Sequence, residues 1–462
     1  MKRIVPIVLA VALFMETMDA TVIATSLPVI AADLGTSPIA LKLALTSYYV
    51  SLAIFIPVSG RLADRFGAKN VFRLAIFVFM LGSLACALSS SLEAFVASRF
   101  LQGVGGAMMT PVGRLLLVRA VPKADLVGAM AWFTIPALIG PLIGPPLGGA
   151  IATYSDWRWI FLINLPIGVI GIVLATRFLP FVARVRDVSF DWPGFVLSGF
   201  ACAGLVFGFS VVSLPALPPV VGVVLIVAGT LAALLYVRHA RRAATPILKL
   251  TLLKIPTLRV SIVAGTLFRV GTGSVPFLLP LMLQIGYGYS ALQSGLVASA
   301  SMGGAILMKF LAKPVLKRFG FRSTLVVSTV TGGALIVAIG LETLAGSITA
   351  LVCLLLVGGF FRSLFFTGIN TLGFADLSTR ETGDATAMMA ATQQVSIAFG
   401  VALAGTILEA GMAIAGGTVP QVADFAIAFT VAGLLMITAA VPFLGLSREA
   451  GDEVAGRSFP AA

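Results

Sequence analysis

Two carboxylates stand three residues apart, Glu16 and Asp19, in a stretch that reads IVPIVLAVALF before METMDAT and VIATSLPVI after it. A charged side chain near the centre of a bilayer costs about 2.5 to 3.5 kcal/mol on insertion scales, so an apolar helix that keeps two of them has a use for them. The chemistry open to them is proton exchange and charge pairing. Burial favours the neutral form of a carboxylic acid and a nearby guanidinium favours the charged form. A group under both influences can gain and lose a proton as its surroundings change. Arg99 supplies a guanidinium in a second apolar run. Asp19 lies about eight residues from the outer end of its run and Arg99 about five from the outer end of its own, so at about 1.5 Å per residue they reach similar depths and can pair. Glu16 falls on nearly the same helix face as Asp19, one turn closer to the midplane. It fits a second proton site and a substrate contact equally well. The Asp19 and Arg99 pair also fits a purely structural role, holding two helices together.

Two further intramembrane cations, Arg269 and Arg362, belong to the second half of the chain. With both acids ionised, the inner charges would be two negative and three positive, which weakens the case for an exclusively cationic substrate. Tyr48, Gln102, Gln284, Asn370 and Gln393 are candidates for hydrogen bonds to a substrate, and Met15, Met18, Met108, Met109, Phe361 and Phe365 for a soft apolar wall. No set of nucleophile, base and oxyanion donors appears, nor a metal-ligand cluster. There is no GxxxxGK[ST] loop for ATP. Neither an enzyme nor a cofactor is expected. Cys86, Cys202 and Cys353 are far apart within apolar runs and read as small buried hydrophobes.

The elements that must hold these residues follow from composition. Of 462 residues, 59% are hydrophobic and 11% charged, against about 25% charge in a soluble chain. Apolar runs of about 20 residues, the length that crosses a bilayer core, recur along the whole sequence. They predict fourteen transmembrane helices in an all-α integral membrane protein. The opening MKR before an apolar run also resembles a secretory signal, but the run carries two acids and leads straight into another span. Positive charge alternates along the breaks: Lys2 and Arg3, Arg61 to Arg73, Arg114 to Lys123, Arg177 to Arg186, Arg238 to Arg259 and Lys309 to Arg322 on one side, only Lys42 and Arg158 on the other. This pattern orients both termini to the cytosol and accounts for the net charge of +13 without nucleic acid as a partner. His239 reads as a solvated loop residue.

Two breaks resemble one another, GRLADRFGAK (Gly60 to Lys69) and KPVLKRFGFR (Lys313 to Arg322). Aligning them superposes two six-helix units once a two-helix insertion, about residues 191 to 237, is set aside. The expected divisions are therefore residues 1–186, 187–243 and 244–462. GRLADRFGAK, RFLQGVGGA (Arg99 to Ala107) and GPLIGPPLGG (Gly140 to Gly149) resemble the second-loop, fourth-helix and fifth-helix motifs of the major facilitator superfamily. MDATVIATSLP, WRWIFLINLPIG and FDWPG resemble its fourteen-helix drug:proton antiporter branch. The resemblance covers nearly the whole chain. It implies a major-facilitator fold of two six-helix bundles plus the insertion, and it makes Asp64 a latch that meets the start of the thirteenth span near Gly383.

Gly140, Gly144 and Gly148 line one face of the fifth span, where Pro141, Pro145 and Pro146 bend it and Gly149 follows. That face fits either a plain packing seam or a dry, bendable seam at the interface of the halves. Gly60 and Gly67 are expected to permit a tight cytosolic loop, and Arg65 and Lys69 to carry orienting charge. The hairpin insertion has no coupling residue. The function expected is proton-coupled export of hydrophobic or amphipathic organic compounds by a monomer in the bacterial cytoplasmic (inner) membrane, with lipid, protons and a small-molecule substrate as partners. The alternatives are a proton symporter for an organic anion or nutrient, and a membrane sensor that kept the fold and lost transport.

Overall fold

The computed structural model describes residues 4–122, 125–180, 190–214, 217–378, 381–447 and 449–451. Lys2, Arg3, Lys123, Arg184, Arg186 and the division expected at 186/187 lie outside the described residues. Every regular element among those described is helical. In chain order they are α1 (Ile4–Val22), a 3-10 turn (Ile23–Ser26), α2 (Leu27–Asp33), α3 (Lys42–Phe66), α4 (Ala68–Ala87), α5 (Leu92–Ala120), α6 (Leu126–Tyr154), α7 (Trp159–Leu162) and α8 (Asn164–Phe178). Then come α9 (Trp192–Val211), α10 (Pro219–Ala240), a second 3-10 turn (Leu250–Lys254), α11 (Pro256–Leu281), a π-turn (Met282–Gly286), α12 (Ala291–Ala345), α13 (Ile348–Leu372), α14 (Thr382–Ala415), α15 (Val422–Thr438) and α16 (Val441–Leu444).

Twelve segments among the described residues are long and apolar enough to cross a bilayer. They differ from the fourteen expected spans at two places. The long α12 is interrupted at Gly320 (φ 73°, ψ 168°), which is not helical backbone, so two spans run together there. The other is α5, which has 29 residues but carries Glu93, Arg99, Gln102, Arg114 and Arg119 along its length. Its start is fixed by Ser91, whose hydroxyl accepts from the Ala94 amide at 3.2 Å.

The repeated Arg-Phe-Gly signature has a common backbone purpose. Gly67 (φ 91°) turns the chain from α3 to α4 and Gly320 (φ 73°) breaks α12, both in the left-handed region that a side chain disfavours. Gly60 does not take part in such a turn. It lies inside α3, exposed, with open space where a Cβ would be, because α3 continues to Phe66 before Gly67 ends it.

The chain divides into two compact units, Met1–Ile247 with Leu283–Leu296, and Leu248–Met282 with Val297–Ala462. In the first, α5 packs against α1, α3 and α4. Close approach is possible because Gly103 and Gly105 put no side chain in the way: a Cβ on Gly103 would lie 2.8 Å from the Tyr48 carbonyl oxygen. The insertion belongs to this unit. Its α9 rests on α3 through Phe195 and Phe55, ring centroids 5.5 Å apart, while α10 covers α9 and leaves Val220, Val224, Val227, Leu231 and Leu234 exposed. Asp191 caps α9 by accepting from the Gly194 amide at 2.9 Å. His239 is not a solvated loop residue: it is in the last turn of α10, and its Nε2 lies 2.6 Å from Asp191 Oδ1. Cys86 is buried as expected, Cys202 only partly, and Cys353 is exposed, because its face of α13 turns outward. In the second unit α11 is the central helix, against α13, α14 and α15.

Candidate functional site

Asp19 and Arg99 meet as their depths require. Arg99 Nη1 donates to Asp19 Oδ2 at 2.7 Å, with the two side chains 1% and 0% exposed. The other carboxylate oxygen accepts from Gln102 Nε2 at 2.8 Å and Asn164 Nδ2 at 2.8 Å. Gln102 Nε2 also donates to Ser83 Oγ at 2.7 Å, and its Oε1 accepts from Arg99. The Arg99 guanidinium lies over the Tyr48 ring, 4.3 Å from the centroid, a cation–π contact. Helices α1, α4, α5 and α8 thus converge on one dry carboxylate.

Gln102 is therefore wholly engaged inside this cluster, whereas Tyr48 keeps a buried hydroxyl with no hydrogen-bond partner. Asn164 and Ser83 escaped the sequence reading. Asn164 lies within the quoted WRWIFLINLPIG, a polar residue at the first position of α8, and that was its one visible signal.

Glu16 sits differently. Its Oε2 accepts from the Thr110 hydroxyl at 2.6 Å, the side chain is half-buried, and it joins no ion pair among the described residues. Thr110 lies eleven residues after Arg99, close to three full turns, so one face of α5 serves both acids.

The fifth-helix glycines face α1, the helix that carries both acids. A Cβ on Gly140 would strike Thr17 Oγ1, one on Gly144 the Thr21 Oγ1 and one on Gly148 the Val22 carbonyl oxygen. The 3-10 turn beyond is tied to the same helix, Thr25 Oγ1 to the Pro145 carbonyl and Ser26 Oγ to that of Gly148, each at 3.2 Å. Helix α6 runs unbroken through Pro141, Pro145 and Pro146. The Gly140, Gly144 and Gly148 face is thus a packing seam within the first unit. Gly149 faces elsewhere, onto the Ala291 carbonyl, and Gly295 approaches the Pro145 carbonyl. Gln284, in the π-turn, donates to the Thr25 carbonyl at 2.8 Å. These contacts place Leu283–Leu296 with the first unit.

The seam yields a measurable contrast. Gly148→Ala is expected to lower stability by about 1 to 3 kcal/mol, since the new methyl meets backbone that cannot step aside. Gly60→Ala, in open space inside a helix, should gain about 0.5 to 1 kcal/mol. Unfolding of the two purified variants in detergent measures both; equal midpoints would refute the seam.

In the second-loop motif Asp64 accepts from Arg119 Nη2 at 2.8 Å, both side chains about one-third exposed. Lys69 does more than orient the chain: its ammonium donates to the Thr176 and Leu179 carbonyls at 2.9 and 2.7 Å, capping the end of α8. Arg65 is exposed, its guanidinium 5.5 Å from the Phe66 centroid.

In the second unit Arg269 is 1% exposed, with one long hydrogen bond, Nη2 to Asn370 Oδ1 at 3.5 Å. Arg362 is half-buried and reaches Ser301 Oγ at 3.4 Å. Gln393 is half-buried on α14.

Helices long and apolar enough to cross a membrane thus enclose a buried ion pair. A family model described as Major Facilitator Superfamily matches residues 9–400 and 261–460. The chain is 35% identical over 449 residues to "Probable transport protein HsrA" of Haemophilus influenzae, covering 97% of this chain and 96% of that one. It is 36% identical over 457 residues to "Putative multidrug resistance protein MdtD" of Pectobacterium carotovorum, covering 98% and 97%. The crystal structure of a D-xylose-proton symporter shares the fold, with a TM-score of 0.70 over 97% of this chain and 98% of that one at 13% identity. This chain belongs to the major facilitator superfamily, and it is a membrane transporter rather than an enzyme.

Proposed function

We propose that this transporter is a proton-coupled exporter of hydrophobic or amphipathic organic compounds, exposing its site alternately to the two sides of the membrane. The observation that carries the reading is the contrast between the two acids of α1. Protonating Asp19 would displace donors from three side chains and leave the buried Arg99 charge unmatched. Protonating Glu16 breaks no ion pair, and its single hydroxyl partner can turn to accept instead of donate. Glu16 is accordingly the site of the moving proton, with Asp19 and Arg99 the fixed pair that seats α1 against α5. Relatives named as multidrug resistance proteins support an organic substrate. The chain would act as a monomer in a bacterial cytoplasmic membrane, both termini in the cytosol, with the 187–243 insertion outside the coupling machinery.

Inward movement of one proton down 100 mV supplies about 2.3 kcal/mol, to which a pH gradient adds. A second reading, proton symport of an organic anion, is favoured by Arg269 and Arg362. The direction of coupling separates the two. Protein reconstituted into liposomes with an internal pH dye should show proton movement opposite to that of a lipophilic test compound. Movement in the same direction would establish symport, and transport without any proton flux would defeat both readings.

A further inference from the structure

The two units treat their buried guanidiniums in opposite ways. Arg99 has a carboxylate at 2.7 Å. Arg269, equally buried, has none: among the described residues neither it nor Arg362 forms an ion pair. Arg269 Nε is buried with no hydrogen-bond partner, and the one bond of its guanidinium, to Asn370, is at the limit of length. The Phe366 ring, 5.5 Å away, adds only a weak cation–π attraction.

Five of the described acids of this unit have partners other than the two arginines, Glu342 accepting from the Ser347 amide. Asp376 accepts from Thr257, Asp384 pairs with Lys249, Glu381 accepts from Ser378, and Asp424 caps α15. A guanidinium taken out of water without a counter-charge destabilises the fold that holds it. Retaining one is understandable where the missing anion arrives from outside.

The surroundings fit a visiting anion. Asn370, the neutral partner of Arg269, is exposed, so the polar group next to the buried guanidinium lies on an open face. Arg362 lines a cavity of about 30 Å³ with Thr272, Ser301, Gly332 and Gly359, room for one water or one ligand oxygen. Thr272 is one turn beyond Arg269 on α11. A guanidinium presents paired donors that match a carboxylate, and the half-buried Phe361 and Phe366 supply apolar surface on α13, the first just before Arg362 and the second between Arg362 and Asn370.

We propose that Arg269 and Arg362 anchor the anionic group of an amphipathic organic substrate, a carboxylate or its equivalent attached to an apolar body. The proposal rests on the reading of the protein as a transporter of organic compounds. It is tested by equilibrium binding without any proton gradient, so that its failure is distinguishable from a failure of proton coupling.

The probes are radiolabelled 1-naphthylacetate and 1-naphthylmethylammonium, which share an aromatic body and differ in the sign of their charge. Purified full-length protein in lipid nanodiscs should bind the anion at least about tenfold more tightly than the cation, and Arg269→Gln should lose at least about tenfold in anion affinity, Arg269→Lys less. Arg362→Gln should weaken the anion in the same sense. Misfolding is controlled by a second readout that a merely structural arginine would move the other way: without ligand, Arg269→Gln should unfold at a temperature equal to or above that of the parent protein, because it removes an unmatched buried charge. Preference for the cation, absence of anion binding, unchanged anion affinity in Arg269→Gln, or a lowered unfolding temperature in that variant would each overturn the proposal.

Discussion

Arg99→Ala is expected to cost about 3 to 5 kcal/mol of stability and to abolish transport, the effect of removing one member of a buried pair and stranding the other. Asp19 would be left as a carboxylate with 0% exposure and only the Gln102 and Asn164 amides to satisfy it. Unfolding of the purified variant in detergent measures the loss. The double variant Asp19→Asn with Arg99→Gln should be more stable than either single one, because neither charge is then stranded. If the double variant also drives a compound uphill, the pair is purely structural. If it is folded but uncoupled, the pair takes part in coupling as well as in packing.

Glu16→Gln is expected to separate binding from coupling. Its one hydrogen bond, from Thr110, limits the stability change to about 0.5 to 1.5 kcal/mol. The functional loss is larger. One proton moving down 100 mV is worth about 2.3 kcal/mol, which sustains roughly a fiftyfold concentration ratio, and a variant that cannot carry the proton should let that ratio fall to one while still exchanging compound downhill. Counterflow in liposomes, with and without an imposed proton gradient, measures the two activities side by side. Full uphill transport by Glu16→Gln would move the proton to Asp19.

Much of this arrangement was legible from spacing. The apolar runs placed the helices because lipid leaves the backbone no other way to satisfy itself, and counting residues from the ends of two runs paired Asp19 with Arg99. The glycines four apart announced a close approach, yet not its partner: which helix lies against α6 depends on tertiary order, and it is α1 for three glycines and the first turn of α12 for Gly149. Asn164 and Ser83 stayed hidden for a similar reason. A lone Asn or Ser in an apolar helix has no period to reveal its face, and its rotation is set by neighbours that sequence does not name. His239 was misread because a basic stretch looks solvated, whereas one carboxylate on the preceding helix was enough to hold it. Gly60 lies about two helical turns before the bend, which belongs to Gly67, where φ is positive.

The Asp191 carboxylate gathers three points of the chain, the Gly194 amide at 2.9 Å, His239 at 2.6 Å and the Ile247 amide at 3.2 Å. The chain therefore departs into the α9 and α10 hairpin and returns to the place it left. Such a closed detour is a cassette: removing it asks for a splice across a few ångströms, from Asp191 to Ile247. The surface uncovered would be that of α3 around Ile54 and Phe55, already apolar and suited to lipid. A chain that gains two helices in this way acquires extra membrane-facing area while its charge-bearing core goes unrevised, and the junction at Asp191 is where a shorter sibling, or a grafted reporter, could be joined.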